Sequence, residues 1–222
     1  MLLFAQTEGS KDVAGQIYGI VGNSIYGILA LLSLWGLYLL IVTWRRVGAK
    51  RFKHEDELKE FLTLVEEPLA EKDFEGVAEI CDRDKRALAQ LVYLAVLNRA
   101  LGYIQVRQLL ADRFRRDILA DLENRCSLIN TVVKSAPMVG LFGTVIGMMA
   151  AFNSLSQNSQ VDPGVLAGDI NVALITTASG LAIAIPLTIM LAFINIRIRK
   201  MEDMVGAGLT RFLPALKHSL DD

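Results

Sequence analysis

The chain has 222 residues, 53% of them hydrophobic, with a mean hydropathy of +0.40 and a formal net charge of −1. That apolar share exceeds the average of a soluble domain, and the near-neutral mixed charge of residues 45–134 argues against a nucleic-acid surface, which carries a one-sided basic excess. The charges are also unevenly placed: none falls at 13–44, 135–161 or 170–196, and each gap is longer than the roughly 20 residues that cross a hydrocarbon core.

The expected fold class is therefore all-α and integral to a membrane, with three transmembrane helices and a helical cytoplasmic domain. Residues 1–19 read as a short periplasmic N-terminus. The apolar start Met1–Ala5 is too short for the core of a signal peptide and no basic stretch precedes it, so the first span reads as uncleaved. Glycines at 15, 19 and 22 suggest a break early in the first uncharged run, which places span 1 at 20–44 with Trp35, Tyr38 and Trp44 as candidate interfacial anchors. Arg45, Arg46, Lys50, Arg51 and Lys53 follow at once, and Arg197, Arg199 and Lys200 follow the third gap. By the positive-inside rule both ends face the cytoplasm, leaving the N-terminus outside and the C-terminus inside.

Residues 45–134 form a cytoplasmic insert with 17 Lys or Arg against 16 Asp or Glu. Its apolar spacing is helical. Phe61, Leu62, Leu64 and Val65 make one face, ahead of a stop expected at Pro68. Further helices are expected at 71–81 and 85–100, the latter through Leu88, Leu91, Val92, Ala95 and Val96. A fourth begins near Gln105 and carries Leu109, Leu110, Phe114, Ile118, Leu119 and Leu122. It meets no breaker before the membrane; continuous to Leu155, it would be about 75 Å long at 1.5 Å per residue.

Span 2, at 135–155, carries Gly140, Gly143, Thr144, Gly147 and Ala151 on one face, at i, i+3, i+4, i+7 and i+11. A loop at 156–169, with Asp162 and Asp169 but no Lys or Arg, suits the outer side. Span 3, at 170–196, repeats the pattern with Ala173, Thr177, Gly180, Ala184 and Thr188, and Thr176 beside them. In lipid, close backbone approach over small residues is a favoured way for helices to associate, within a subunit or around a ring. Pro137 and Pro186 are candidate kinks or hinges, and Pro186 is expected to interrupt its helix. After Lys200, in 197–222, Leu209, Phe212, Leu213 and Leu216 suggest a short amphipathic helix packing on the cytoplasmic domain.

The spans hold hydroxyls but no Asp, Glu, Lys, Arg or His well inside. Hydroxyls hold water and relay hydrogen bonds but do not titrate near neutral pH, so a proton carrier must come from elsewhere. Cys81 and Cys126 lack a CxxC pattern and read as reduced thiols. His54 and His218 give no metal-ligand spacing. GLFGTVIG lacks the GK[ST] ending of a phosphate loop. No catalytic set, metal or cofactor is expected. A scaffold using the same small faces for packing alone, or a partnerless ion channel, is the alternative from residues alone.

APMVGLFGTVIGMMAAF at Ala136–Phe152, with ALITTASGLAIAIP at Ala173–Pro186, resembles the MotA/TolQ/ExbB proton-channel family, and three spans match its ExbB and TolQ branch. The resemblance implies a homo-pentameric ring in the bacterial inner membrane. It would surround single-span partners of the ExbD or TolR kind that carry the titratable aspartate, and work with a TonB- or TolA-like protein; a stator of another surface motor, such as a gliding motor, is the further alternative. It also implies that Thr144 and Thr177 face the pore and that Pro186 is the family proline; Thr144, Thr177 and Thr176, which adds a hydroxyl, are the expected proton-pathway residues. The likeness departs at Val172, which stands where the best-known members have a glutamate, so no role of that carboxylate carries over.

Overall fold

The computed structural model describes residues 2–157 and 163–221 and is helical almost throughout. Of the expected outer loop, residues 158–162, Asp162 among them, lie outside the described residues. In chain order come α1 (Leu2–Lys50), α2 (Glu55–Ala70), α3 (Phe74–Asp82), α4 (Ala87–Leu97), a 3-10 turn (Arg99–Leu101), α5 (Tyr103–Arg113), a π turn (Phe114–Leu119), α6 (Ala120–Gln157) and α7 (Pro163–Asp221). Among the described residues three helical stretches are long and apolar enough to cross a membrane: Asn23–Lys50, Tyr103–Asn153 and Leu166–Leu220.

Several boundaries differ from those expected. α1 continues through Gly15, Gly19 and Gly22; a helical glycine costs about 1 kcal/mol relative to alanine but removes no hydrogen bond. α2 continues through Pro68 to Ala70, because a proline in the last turn deletes a single bond. The stop comes from Lys72, whose φ is 61°. There the Asp73 amide donates to the Pro68 carbonyl at 2.9 Å and the Lys72 amide to Leu69 at 3.2 Å, the double closure of a Schellman motif with lysine where glycine is usual. The Asp73 carboxylate then accepts from the Gly76 amide at 2.9 Å and caps α3. α6 and α7 stay helical across Pro137 and Pro186, so Pro186 does not interrupt its helix; neighbouring packing can make good the lost bond in a membrane span. No separate tail helix forms: α7 runs on to Asp221.

The chain packs as two compact units, residues 1–40 with 128–191 and residues 41–127 with 192–222. In the second, α4 is the apolar centre, with Leu88, Leu91, Val92, Ala95 and Val96 buried. Buried residues of α7 at Met201, Met204, Val205, Phe212 and Leu216 follow helical spacing. Gly208 lies on the same face, where a Cβ would collide with the Leu88 side chain. The Arg211 guanidinium closes the contact by a two-pronged pair with Glu66, both bonds at 2.6 Å. Val106, Leu110, Ile118 and Leu122 are also buried. In an unbroken α-helix Ile118 would sit about 80° from Leu110; the π turn at 114–119 absorbs one residue and restores the apolar face. Burial pushes the Cys81 thiol up to about 12, aided by the Asp84 charge. The Arg86 guanidinium, which Asp84 accepts from, stacks over Phe52 and Phe61.

In the first unit α1 meets α6 and α7 at Gly36, where a Cβ would lie 2.8 Å from a Leu187 methyl and 3.0 Å from Val132. Ile25, Leu29, Leu39 and Leu40 are buried, while Leu31, Leu34, Trp35, Leu37 and Tyr38 are exposed, the surface a bilayer or neighbouring subunits would cover.

Candidate functional site

The small faces of α6 and α7 meet each other within the one chain. At Gly140 a Cβ would stand 2.7 Å from the Thr176 carbonyl oxygen and 3.0 Å from the Thr177 Cα. At Gly180 it would stand 2.5 Å from the Ala136 carbonyl oxygen and 3.2 Å from the Pro137 Cα. These walls are backbone and cannot rotate away, so only glycine fits. Gly143 faces the Thr176 side chain and Gly147 faces Ala173. Ala151, Ala173 and Ala184 are buried. The seam thus runs along α6 through Gly140, Gly143 and Gly147, and along α7 through Ala173, Thr176 and Gly180.

Hydroxyls sit in this seam and at its margin. Thr176, 3% exposed, has the Ala173 carbonyl at 2.7 Å and the Gly140 carbonyl at 3.1 Å, so its one proton is held either along its own helix or across the seam. Thr177 is half-buried, with the Gly140 carbonyl at 3.1 Å and the Thr144 hydroxyl at 3.5 Å. Thr144 donates to the Leu141 carbonyl at 2.6 Å, which leaves its oxygen open to accept from Thr177 or from a visiting donor. Thr188 donates to Ala184 at 2.7 Å, a bond back along its own helix.

Spacing along the chain put Thr177 on the small face and Thr176 beside it. The structure brings both onto Gly140, with Thr176 the deeper, because the crossing of two helices selects which side of a broad small face is covered. Gly36 escaped the sequence reading, as did the Tyr26 hydroxyl, which donates to the Val172 carbonyl at 3.3 Å. A lone small residue among the bulky side chains of span 1 was the available signal for Gly36; nothing local marked Tyr26. Among the described residues no group of three or more His, Cys, Asp or Glu side chains could hold a metal ion, and no buried side-chain polar atom lacks a partner. The seam can accept and pass hydrogen bonds but carries no acid of its own.

The sequence model of the MotA/TolQ/ExbB proton channel family matches residues 88–206, which hold both α6 and most of α7. The chain is similar to the biopolymer transport protein ExbB of Neisseria gonorrhoeae, 30% identical over 161 residues, covering 72% of this chain and 67% of that protein. It is 38% identical over 98 residues to the Tol-Pal system protein TolQ of Haemophilus influenzae, covering 44% and 43%. A putative ExbB homolog of Methanothermobacter thermautotrophicus is 39% identical over 108 residues, covering 46% and 38%.

Proposed function

We propose, on the premise that the chain belongs to the MotA/TolQ/ExbB proton channel family, that it is the ring subunit of an inner-membrane motor driven by the proton-motive force. As a multi-pass membrane protein of that family it is a transport protein and not an enzyme. Five copies would surround single-span partners of the ExbD or TolR kind, and through a TonB- or TolA-like protein the assembly would deliver work to the periplasm or outer membrane. Residues 20–44, 135–155 and 170–196 are taken as the spans, with the N-terminus periplasmic, 45–134 and 197–222 cytoplasmic, and 156–169 outside.

One observation carries the reading: two threonine hydroxyls, Thr144 and Thr177, stand together at the edge of a seam whose flanking runs contain no titratable side chain. A carboxyl group is neutral against apolar walls, because an ion there costs several kcal/mol, and ionises where hydroxyls and water reach it. A partner aspartate alternating between these surroundings would carry protons down the membrane potential, which supplies about 2.3 kcal/mol per charge per 100 mV, and would move against the ring as it did so. Thr144 and Thr177 are assigned to the path. Thr176, satisfied inside the seam, is assigned to holding α6 and α7 together, and Pro137 and Pro186 are the candidate bending points.

The test replaces Thr144 and Thr177 together by Val. The ring and its co-purifying single-span partner should survive, while energised transport is lost. Transport at the wild-type rate would leave the small faces as packing alone and return the chain to a scaffold.

A further inference from the structure

The charged insert is near-neutral as a whole but polarised along its length. Residues 55–82, which make α2 and α3, carry 11 Asp or Glu against 2 Lys, a net charge of −9. Residues 83–119, which hold α4, α5 and the π turn, carry 8 Lys or Arg against 3 Asp, a net of +5. α3 and α5 each pack on α4, which is buried along most of its length, so the acidic and basic segments occupy different flanks of one helix. Among the described residues no ion pair joins the two segments: Glu66 is taken by Arg211 of α7, Asp56 pairs with Lys59, Asp84 with Arg86 and Asp117 with Arg113. Arg99 is spent on the Phe74 ring, 4.7 Å from its centroid.

Each flank also exposes large aliphatic side chains, outside the three uncharged runs that a bilayer would cover. On α2, Leu64 is 53% exposed and shares the outward face with Glu60 and Glu67, one turn to either side. At the entry to α5, Leu97, Leu101 and Ile104 are 56%, 48% and 70% exposed, and the exposed Arg107 follows Ile104 by one turn. Among the described residues Glu60, Glu67 and Arg107 enter no ion pair. Clustered exposed apolar side chains rimmed by charge mark sites of protein association. The two patches are both aliphatic and opposite in sign, so each fits the other. Either patch set against its own copy would bring like charges together, which is costly.

We propose that the Leu64 face of α2 on one copy of this chain docks on the Leu101–Ile104 face of a second copy, with Glu60 and Glu67 against Arg107. The contact is head-to-tail, because each copy offers one face to one neighbour and the other face to the next. Contacts of this kind generate rings when the rotation closes. The inference deepens the ring reading and rests on it for closure, but it does not depend on proton flow.

The experiment expresses the full chain in membranes with L64C, I104C or both, and forms disulfides with copper phenanthroline. L64C/I104C should give a ladder of multimers, because every copy carries both halves of the contact. Either single variant should stay uncrosslinked, like wild type with only Cys81 and Cys126. R107E added to the pair sets a carboxylate against Glu60 and Glu67 and should cut the yield about fivefold; adding E60K/E67K as well should restore it. No ladder, dimers from a single variant, or a yield indifferent to R107E would each overturn the contact. Native electrophoresis of wild type separates that failure from failure of the ring reading: a multimer without the ladder removes the contact alone, and a monomer removes both.

Discussion

A threonine hydroxyl has one proton to give and two lone pairs to offer, and the two at the seam's edge use them differently. Thr144 gives its proton to Leu141 at 2.6 Å and keeps an oxygen available; Thr177 has its shorter bond to Gly140, at 3.1 Å. A hydrogen bond to a charged group is worth about 1.5–3 kcal/mol, so T177V should slow proton-driven work by tenfold or more, and T177S should restore it, as measured by energised transport in cells. Gly140 tests the seam itself. In G140A the new methyl meets the Thr176 carbonyl at 2.7 Å, and overpacking of this kind costs about 1–3 kcal/mol. A fall in the detergent unfolding temperature of the purified protein, larger than that of G27A, checks this; a Cβ at Gly27 has nothing within 4 Å. The glycine row was legible from spacing alone, because small residues in an apolar span at helical intervals have few other uses. That Thr176 and not Thr177 would lie deeper was not legible, since it depends on the crossing of α6 over α7.

At the level of elements, the apolar periodicity gave α4 nearly whole: Leu88, Leu91, Val92, Ala95 and Val96 are all buried. Pro68 misled because proline was weighed as a terminator, whereas the terminator is a backbone turn that lysine rarely adopts. Left-handed φ costs a side chain about 1 kcal/mol that glycine does not incur. K72G should therefore stabilise the protein by roughly 0.5–1 kcal/mol, read as a higher denaturant midpoint, in spite of glycine's greater unfolded freedom. The π turn escaped the sequence reading too, because its signal is a one-residue slip between Leu110 and Ile118. Where α1 and α6 meet, burial raises the Asp121 pKa, but the Arg125 and Arg46 guanidiniums outweigh it and hold the carboxyl below its ordinary value of 3.8. A carboxyl depressed on folding stabilises the fold above its unfolded pKa and loses that contribution as pH falls through the folded one. Wild type should thus lose more stability than D121N on acidification from pH 5 to pH 2, and parallel curves would remove the ion pair from the account.

On the scale of the whole molecule, the three charge-free runs fixed the number of membrane-length helices, and the paired glycine and threonine motifs pointed to the family. The spacing of Leu209, Phe212, Leu213 and Leu216 suggested a short tail helix of its own, whereas α7 runs through it to Asp221, and Gly208 is the contact that lets α7 lie against Leu88. The division into two units, one containing the seam and the other the mixed-charge helices, follows the alternation of uncharged and charged sequence. What the chain lacks is as important as its shape. Without a titratable group in either α6 or α7 membrane run, the motor proposed above needs an acid supplied in trans.

Proton uptake by proteoliposomes under an imposed potential tests that claim most directly, comparing this chain alone, the chain with its co-purified single-span partner, and the chain with a partner whose membrane aspartate is changed to asparagine. Uptake is predicted only in the second case. Equal uptake from the chain alone, or from the asparagine variant, would contradict the account.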